Sequence, residues 1–124
     1  VVDLDHFKPI NDRLGHRAGD EVLRQFAFEA RRVLRPVDIV ARYGGEESLV
    51  LLPHTTLEQA QVVVERLRRA AKNVHTAGGD TLSISAGLAA VALDENSLDQ
   101  AIARADAALY DAKQSGRDRI RIAA

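Results

Sequence analysis

The sequence predicts an α+β domain, a mostly antiparallel central sheet flanked by helices. Three observations carry this. Apolar runs of strand length and helical periodicities follow one another in the order β-α-α-β-β-α-β-α-β. Two of the strand runs, Ile39-Val40-Ala41 and Leu49-Val50-Leu51-Leu52, are separated only by Arg42-Tyr43-Gly44-Gly45-Glu46-Glu47-Ser48, a hairpin signal. A middle hairpin among helix-linked strands suits a ferredoxin-like or split-βαβ sheet, and right-handed crossovers then bring Asp3, at the end of the first strand, beside that hairpin.

Each element has a local reason. Val1 to Leu4 is a short apolar strand, and Phe7, Ile10 and Leu14 recur at helical spacing up to Gly15. Gly15 to Asp20 reads as a loop, with Asp20 as N-cap of a helix whose apolar face is Val22, Leu23, Phe26, Ala27, Ala30, Val33 and Leu34. Pro36 stops that helix. The hairpin spans Asp38 to Tyr43 and Ser48 to Leu52, and its paired glycines predict a turn at positive φ. Overlapping capping boxes, Thr55 with Glu58 and Thr56 with Gln59, open a helix carrying Leu57, Ala60, Val64, Leu67, Ala71 and Val74. Leu82, Ile84, Ala86 and Leu88 alternate with small residues as in a strand. Ser97 with Gln100 forms a further capping box, Gly116 suits a left-handed C-terminal cap, and Arg119 to Ile122 supplies a last strand.

The totals exclude several function classes. A chain of 124 residues is one domain, 1–124, with enough length for a core. Its net charge of −1 argues against sequence-blind nucleic-acid binding, and an aromatic content of 4% argues against an RNA-binding module built on stacking, despite a similar sheet topology. With no cysteine there is neither a disulfide framework nor a thiolate metal site. No apolar run has membrane-spanning length, so the expectation is a cytoplasmic domain without membrane contact. Strand character from Val1 onward reads as a domain trimmed at its N-terminus from a longer multidomain regulatory protein.

The chemistry points to a cation and phosphates. Two adjacent acids at a hairpin tip, Glu46 and Glu47, repel each other and bury no apolar area; alone they read as a solvated turn. With Asp3 converging on the same sheet end they become hard oxygen ligands, which suit Mg²⁺ held by one or two carboxylates, water and substrate phosphate. The Leu4 carbonyl is a further oxygen in reach. Asp5-His6-Phe7-Lys8 opens a helix whose first N–H groups bind anions, and Lys8, Lys113 and Arg117 supply cations, although Lys113 and Arg117 also suit a solvated helix end.

Asp3-Leu4-Asp5-His6-Phe7-Lys8, Asn11-Asp12, Gly15-His16, Gly19-Asp20, Arg42-Tyr43-Gly44-Gly45-Glu46-Glu47 and Lys113-Gln114-Ser115-Gly116-Arg117 together resemble the GGDEF domain of diguanylate cyclases, in order and spacing along almost the whole chain. The resemblance implies a fold related to class III nucleotide cyclases. It implies condensation of two GTP into cyclic di-GMP, with release of two pyrophosphates, in an antiparallel homodimer. It assigns the ligands of two Mg²⁺ per site (Mn²⁺ being the alternative) to Asp3, the Leu4 carbonyl and Glu46, with Glu47 as the second acid of the signature. Asn11 and Asp20 would read guanine; Lys8, Lys113, Arg117 and the amides of His6 and Phe7 would contact phosphates. An upstream sensory or receiver domain is expected in the full-length chain.

The same resemblance implies an inhibitory cyclic di-GMP site at Arg35-Pro36-Val37-Asp38, five residues before the signature, joined by Arg66. Arginine recognises guanine well, by stacking and by hydrogen bonding. Ser48 departs from the family pattern, which has phenylalanine there. Losing a buried phenylalanine typically costs about 3–5 kcal/mol where a cavity remains. The departure bears on the positioning of Glu46 and Glu47 rather than on their ligand chemistry. The alternative reading is therefore a weakly active or inactive GGDEF domain that serves as a cyclic di-GMP or GTP receptor.

Overall fold

The structure, a computed structural model, describes residues 1–124. It contains β1 (Val2–Leu4), α1 (Phe7–Leu14), α2 (His16–Val33), β2 (Ile39–Arg42), β3 (Glu47–Leu51), α3 (Leu57–Ala71), β4 (Ile84–Leu88), α4 (Asp99–Gln114) and β5 (Ile120–Ile122). This is the expected order. The strands form one sheet in the order β2-β3-β1-β4-β5, antiparallel except for the β4–β5 pair. β1 lies between β3 and β4, so a short, fully buried strand sits at the centre of the sheet.

Strand alternation divides the core between two faces. On one, Val2, Leu4, Ile84, Ala86 and Leu88 pack with Val22, Phe26 and Ala30 of α2 and Val64, Leu67 and Ala71 of α3. On the other, Val1 packs with Ala105 and Leu109 of α4. α4 lies close on β4 because residue 87 is glycine: a methyl group there would stand 1.9 Å from the Ala105 carbonyl oxygen and 2.4 Å from the Leu109 nitrogen.

Several local expectations are corrected. Gly15 to Asp20 is not a loop: Gly15, at φ 90°, turns the chain between α1 and α2 in a single residue, and α2 starts at His16. The Gly19 N–H donates to the Gly15 carbonyl (3.2 Å), closing the first turn, so Asp20 lies inside the helix and caps nothing. The hairpin forms, yet neither Gly44 nor Gly45 adopts positive φ. Its tip is closed by the Tyr43 and Gly44 N–H groups donating to the Glu47 carbonyl (2.8 and 3.2 Å). Of the two boxes before α3, Thr56 with Gln59 forms; Thr55 instead donates to the Pro53 carbonyl. The Ser97–Gln100 box is absent, since Leu98 at the N-cap is already in the helical region. α3 stops at Ala71 and β4 begins at Ile84, because Leu82 pairs back with Val74 (3.0 Å) across a one-bridge ribbon, His75 with Thr81. Gly116 does cap α4 at positive φ, with the Arg117 N–H donating to the Ala112 carbonyl (3.0 Å) and the Gly116 N–H to that of Lys113 (3.4 Å), the pattern of a Schellman cap.

Candidate active site

The register of β1 against β3 gathers the acids. Asp3 stands directly opposite Glu47, so their side chains share a face of the sheet. Glu46 occupies the turn just before β3, and its carbonyl accepts from the Leu4 N–H (3.2 Å). Glu46 returns no bond to the Leu4 carbonyl, which leaves that oxygen available at the mouth of the hairpin. Asp3 is buried, while Glu46 and Glu47 are half-buried.

Lys113, near the end of α4, donates to Asp3 Oδ2 at 2.8 Å. It is partly buried and is not a solvated helix end. Burial pushes the Asp3 carboxyl above its ordinary value; the Lys113 hydrogen bond and charge pull it back, and Glu46 and then Glu47 push it up again. The balance is excess negative charge in a partly desolvated corner, which a divalent cation relieves. No three His, Cys, Asp or Glu side chains form a closed cage here. The donor set of two carboxylates and one carbonyl therefore fits a hard cation that completes its shell with water and substrate oxygens, as Mg²⁺ does.

A floor that the sequence reading missed lies beneath these acids. Asp5 is buried and accepts from Ser83 Oγ and Ser85 Oγ (both 2.6 Å) and from the Asp118 N–H (3.0 Å). No local signal marks it: Asp3 and Asp5 share a face with Ser83 and Ser85 only through the antiparallel pairing of β4 with β1, which sets Asp3 opposite Ser85. This ties β1, β4 and the loop after α4 together under the site.

The remaining candidate residues lie on α1, α2 and the loop after α4. His6 is the N-cap of α1 at φ 58°, and the amides of His6 and Phe7 stand at the first turn, where helix N–H groups lack internal partners. Phe7 is buried, whereas His6 and Lys8 are exposed. Asn11 lies against α2 where residue 19 is glycine; a methyl at Gly19 would meet Asn11 Oδ1 at 1.7 Å. That oxygen is buried and has no hydrogen-bond partner. Asp20, one residue on, is exposed. A buried acceptor without a donor calls for a partner that the chain itself does not supply. Arg117 is exposed, sits at φ 63° and makes no side-chain bond within the chain.

The Arg35–Asp38 element is preformed on the far side of the hairpin. Arg35 Nε and Nη2 donate to Asp38 (2.7 Å at the shortest), and Nη2 also reaches the Pro53 carbonyl (3.0 Å) and Thr55 Oγ1 (2.9 Å). The Arg35 guanidinium holds the Asp38 carboxyl below the usual carboxylate range. Arg66 makes no bond to either residue; nine residues beyond Leu57, it lies roughly 13 Å along α3 at ~1.5 Å per residue. Ser48 is half-buried on the face of Val2, and the sheet passes through it in register, with Val2 on one side and Arg42 on the other. Arg42 grips the tip, donating to the carbonyls of Gly44 (3.3 Å) and Gly45 (2.8 Å).

The chain is similar to known proteins over nearly its whole length. Residues 1–119 match the family described as diguanylate cyclase, GGDEF domain. The chain is 49% identical over 125 residues, 99% of its length, to the diguanylate cyclase DgcP of Pseudomonas aeruginosa, of which it covers 19%. It superposes with a TM-score of 0.92 and 32% identity on the active GGEEF domain of a diguanylate cyclase from Vibrio cholerae, covering 99% of this chain and 80% of that one. The GGDEF domain of DgcB from Caulobacter crescentus, solved in complex with cyclic di-GMP, gives a TM-score of 0.88 and 34% identity over 98% of this chain and 74% of that one. The chain spans about a fifth to a third of the length of the curated relatives it matches. No helix is long and apolar enough to cross a membrane. The motifs, the sheet order and these matches coincide, and the chain belongs to the GGDEF family of diguanylate cyclase domains.

Proposed function

We propose that this domain is a diguanylate cyclase that joins two GTP molecules into cyclic di-GMP, with release of two pyrophosphates, in an antiparallel homodimer. The observation that carries the reading is the convergence of Asp3, Glu46, Glu47 and the free Leu4 carbonyl at one sheet end, with Lys113 on Asp3. Asp3, the Leu4 carbonyl and Glu46 would hold Mg²⁺, two ions per site, or Mn²⁺ in its place. Bound there, the metal would offset triphosphate charge and acidify the attacking 3′-hydroxyl. Lys8, Lys113, Arg117 and the amides of His6 and Phe7 orient the phosphates in line for displacement. Asn11 and Asp20 select guanine, whose N1–H and exocyclic amine donate to a carboxylate; adenine would leave Asp20 unpaired. Glu47, which shares the face of Asp3, would take the 3′-hydroxyl proton. Each 3′-oxygen forms a bond to the α-phosphorus of the other GTP as that phosphorus loses pyrophosphate.

A single half-site holds one GTP, so the reading requires two copies of the domain facing each other. The test is to incubate the full-length protein with Mg²⁺ and either GTP or ATP and to separate the products. Cyclic di-GMP from GTP, and no cyclic product from ATP, is the expected result. GTP left intact at high protein concentration would contradict it.

A second role rests on a separate observation, the exposed and pre-oriented Arg35 guanidinium. With Asp38 and Arg66 it would form the inhibitory cyclic di-GMP site, and in a catalytically weak domain it would make the protein a receptor. Calorimetry with cyclic di-GMP should show binding that Arg35→Ala weakens at least tenfold, the scale of losing a bidentate arginine. Binding unchanged in that variant would sink the assignment.

A further inference from the structure

The loop that leaves α4 carries three consecutive residues at positive φ: Gly116 (116°), Arg117 (63°) and Asp118 (48°). Glycine takes this conformation freely; arginine and aspartate hold it only where their surroundings over-determine it. Those surroundings converge on Asp118. Its N–H donates to buried Asp5, and its carboxylate accepts from Arg68 Nη1 (2.9 Å) and Lys72 Nζ (2.7 Å). Arg68 is oriented in turn by a two-pronged bond to Glu65, Nε to Oε2 (2.9 Å) and Nη2 to Oε1 (2.6 Å). Asp5 is fixed from the other side by Ser83 and Ser85. Burial pushes the Asp118 carboxyl up, but the bonds from Lys72 and Arg68 more than offset this and keep it ionised. The backbone of residue 117 is thus held between a helix cap and an ion-pair clamp, while the Arg117 guanidinium stays exposed and without a partner in the chain.

We propose that Arg68 and Lys72 are positioning residues: acting through Asp118, they fix the backbone that presents Arg117 to the triphosphate. This rests on the reading of Arg117 as a phosphate contact. Neither residue touches the nucleotide. What they contribute is pre-organisation, the removal of alternative loop conformations before binding. The clamp also makes α3 part of the site, although its residues stand on the opposite face of the sheet from α4.

The test uses the full-length protein and two readouts. The first is calorimetric binding of the α,β-methylene analogue of GTP, which cannot be cleaved at the α–β bridge. The second is amide hydrogen exchange of residues 116–119 without nucleotide. Arg68→Met should weaken binding about tenfold, the scale of losing an outer-shell partner, and should speed exchange. Arg68→Lys should recover part of both. Arg69→Met, which removes another partner of Glu65 but nothing from Asp118, should behave as the parent. In an Arg117→Met background the Arg68 substitution should have no further effect on affinity. Equal weakening in both backgrounds, or exchange unchanged in Arg68→Met, overturns the proposal. A parent that binds no analogue overturns it through the reading of Arg117; exchange that still accelerates in Arg68→Met distinguishes that outcome from failure of the clamp.

Discussion

β1 and the hairpin contribute facing halves of the candidate site, and they are anchored unequally. The β1 half sits on a buried floor: Asp3 held by Lys113, and Asp5 by two serines and the Asp118 amide, with α4 pressed onto β4 at Gly87. The hairpin half is half-buried or exposed along its length and lies toward the sheet edge; Arg42 and its own backbone turn hold its tip. Ser48 falls in this second half. A residue missing from a rigid floor would collapse the site. One missing from a strand that keeps its register leaves the carboxylates where the pairing puts them.

The comparison can be broken most severely at Gly87. Gly87→Ala puts a methyl group against the backbone of α4, which cannot yield as a side chain would. It should cost about 3 kcal/mol of stability, read as a lowered urea midpoint. Asp5→Ala should follow, at about 2 kcal/mol, because it leaves the buried Ser85 hydroxyl, the half-buried Ser83 hydroxyl and the Asp118 amide without their acceptor. On the hairpin side the effect should be far smaller. Ser48→Phe should leave GTP turnover within about threefold of the parent, under ~1 kcal/mol. A gain near ~100-fold would mean that the serine displaces the acids by about 1 Å, and would erase the distinction between the halves.

The smallest effect concerns pH. The folded Asp118 carboxyl lies below its ordinary value, so its contribution to stability is present above the unfolded pKa and is lost as pH falls through the folded one. Urea midpoints of the parent and of Asp118→Asn should therefore differ by a constant amount from neutral pH down to mildly acidic pH. They should converge only in acid below the usual carboxylate range. Convergence near neutrality would mean that the clamp does not hold Asp118 ionised.

Much of this was legible in the sequence, for identifiable reasons. The element order followed from periodicity, and the meeting of Asp3 with the hairpin followed from topology, because a right-handed crossover leaves β1 few places to go. The start of α2 is not legible because Gly15 and Gly19 look alike in sequence. One makes a left-handed break, while the other sits inside the helix to make room for Asn11. Gly44 and Gly45 suggest positive φ by composition, yet the tip closes through bonds to the Glu47 carbonyl without it. The Asp5 floor and the Arg68–Asp118 clamp join residues far apart in the chain, and no local pattern distinguishes their charges from solvated ones.

In the proposed function, the paired acids of the two halves work as one metal-assisted nucleotide site. Cyclic di-GMP formation by the full-length parent and by Glu46→Gln, followed with Mg²⁺ over a range of protein concentrations, tests it most directly. The expected result is product from the parent, with specific activity rising as dimers form, and a loss of about 100-fold or more in Glu46→Gln. No product from the parent at any concentration, or equal rates for the two proteins, would contradict it.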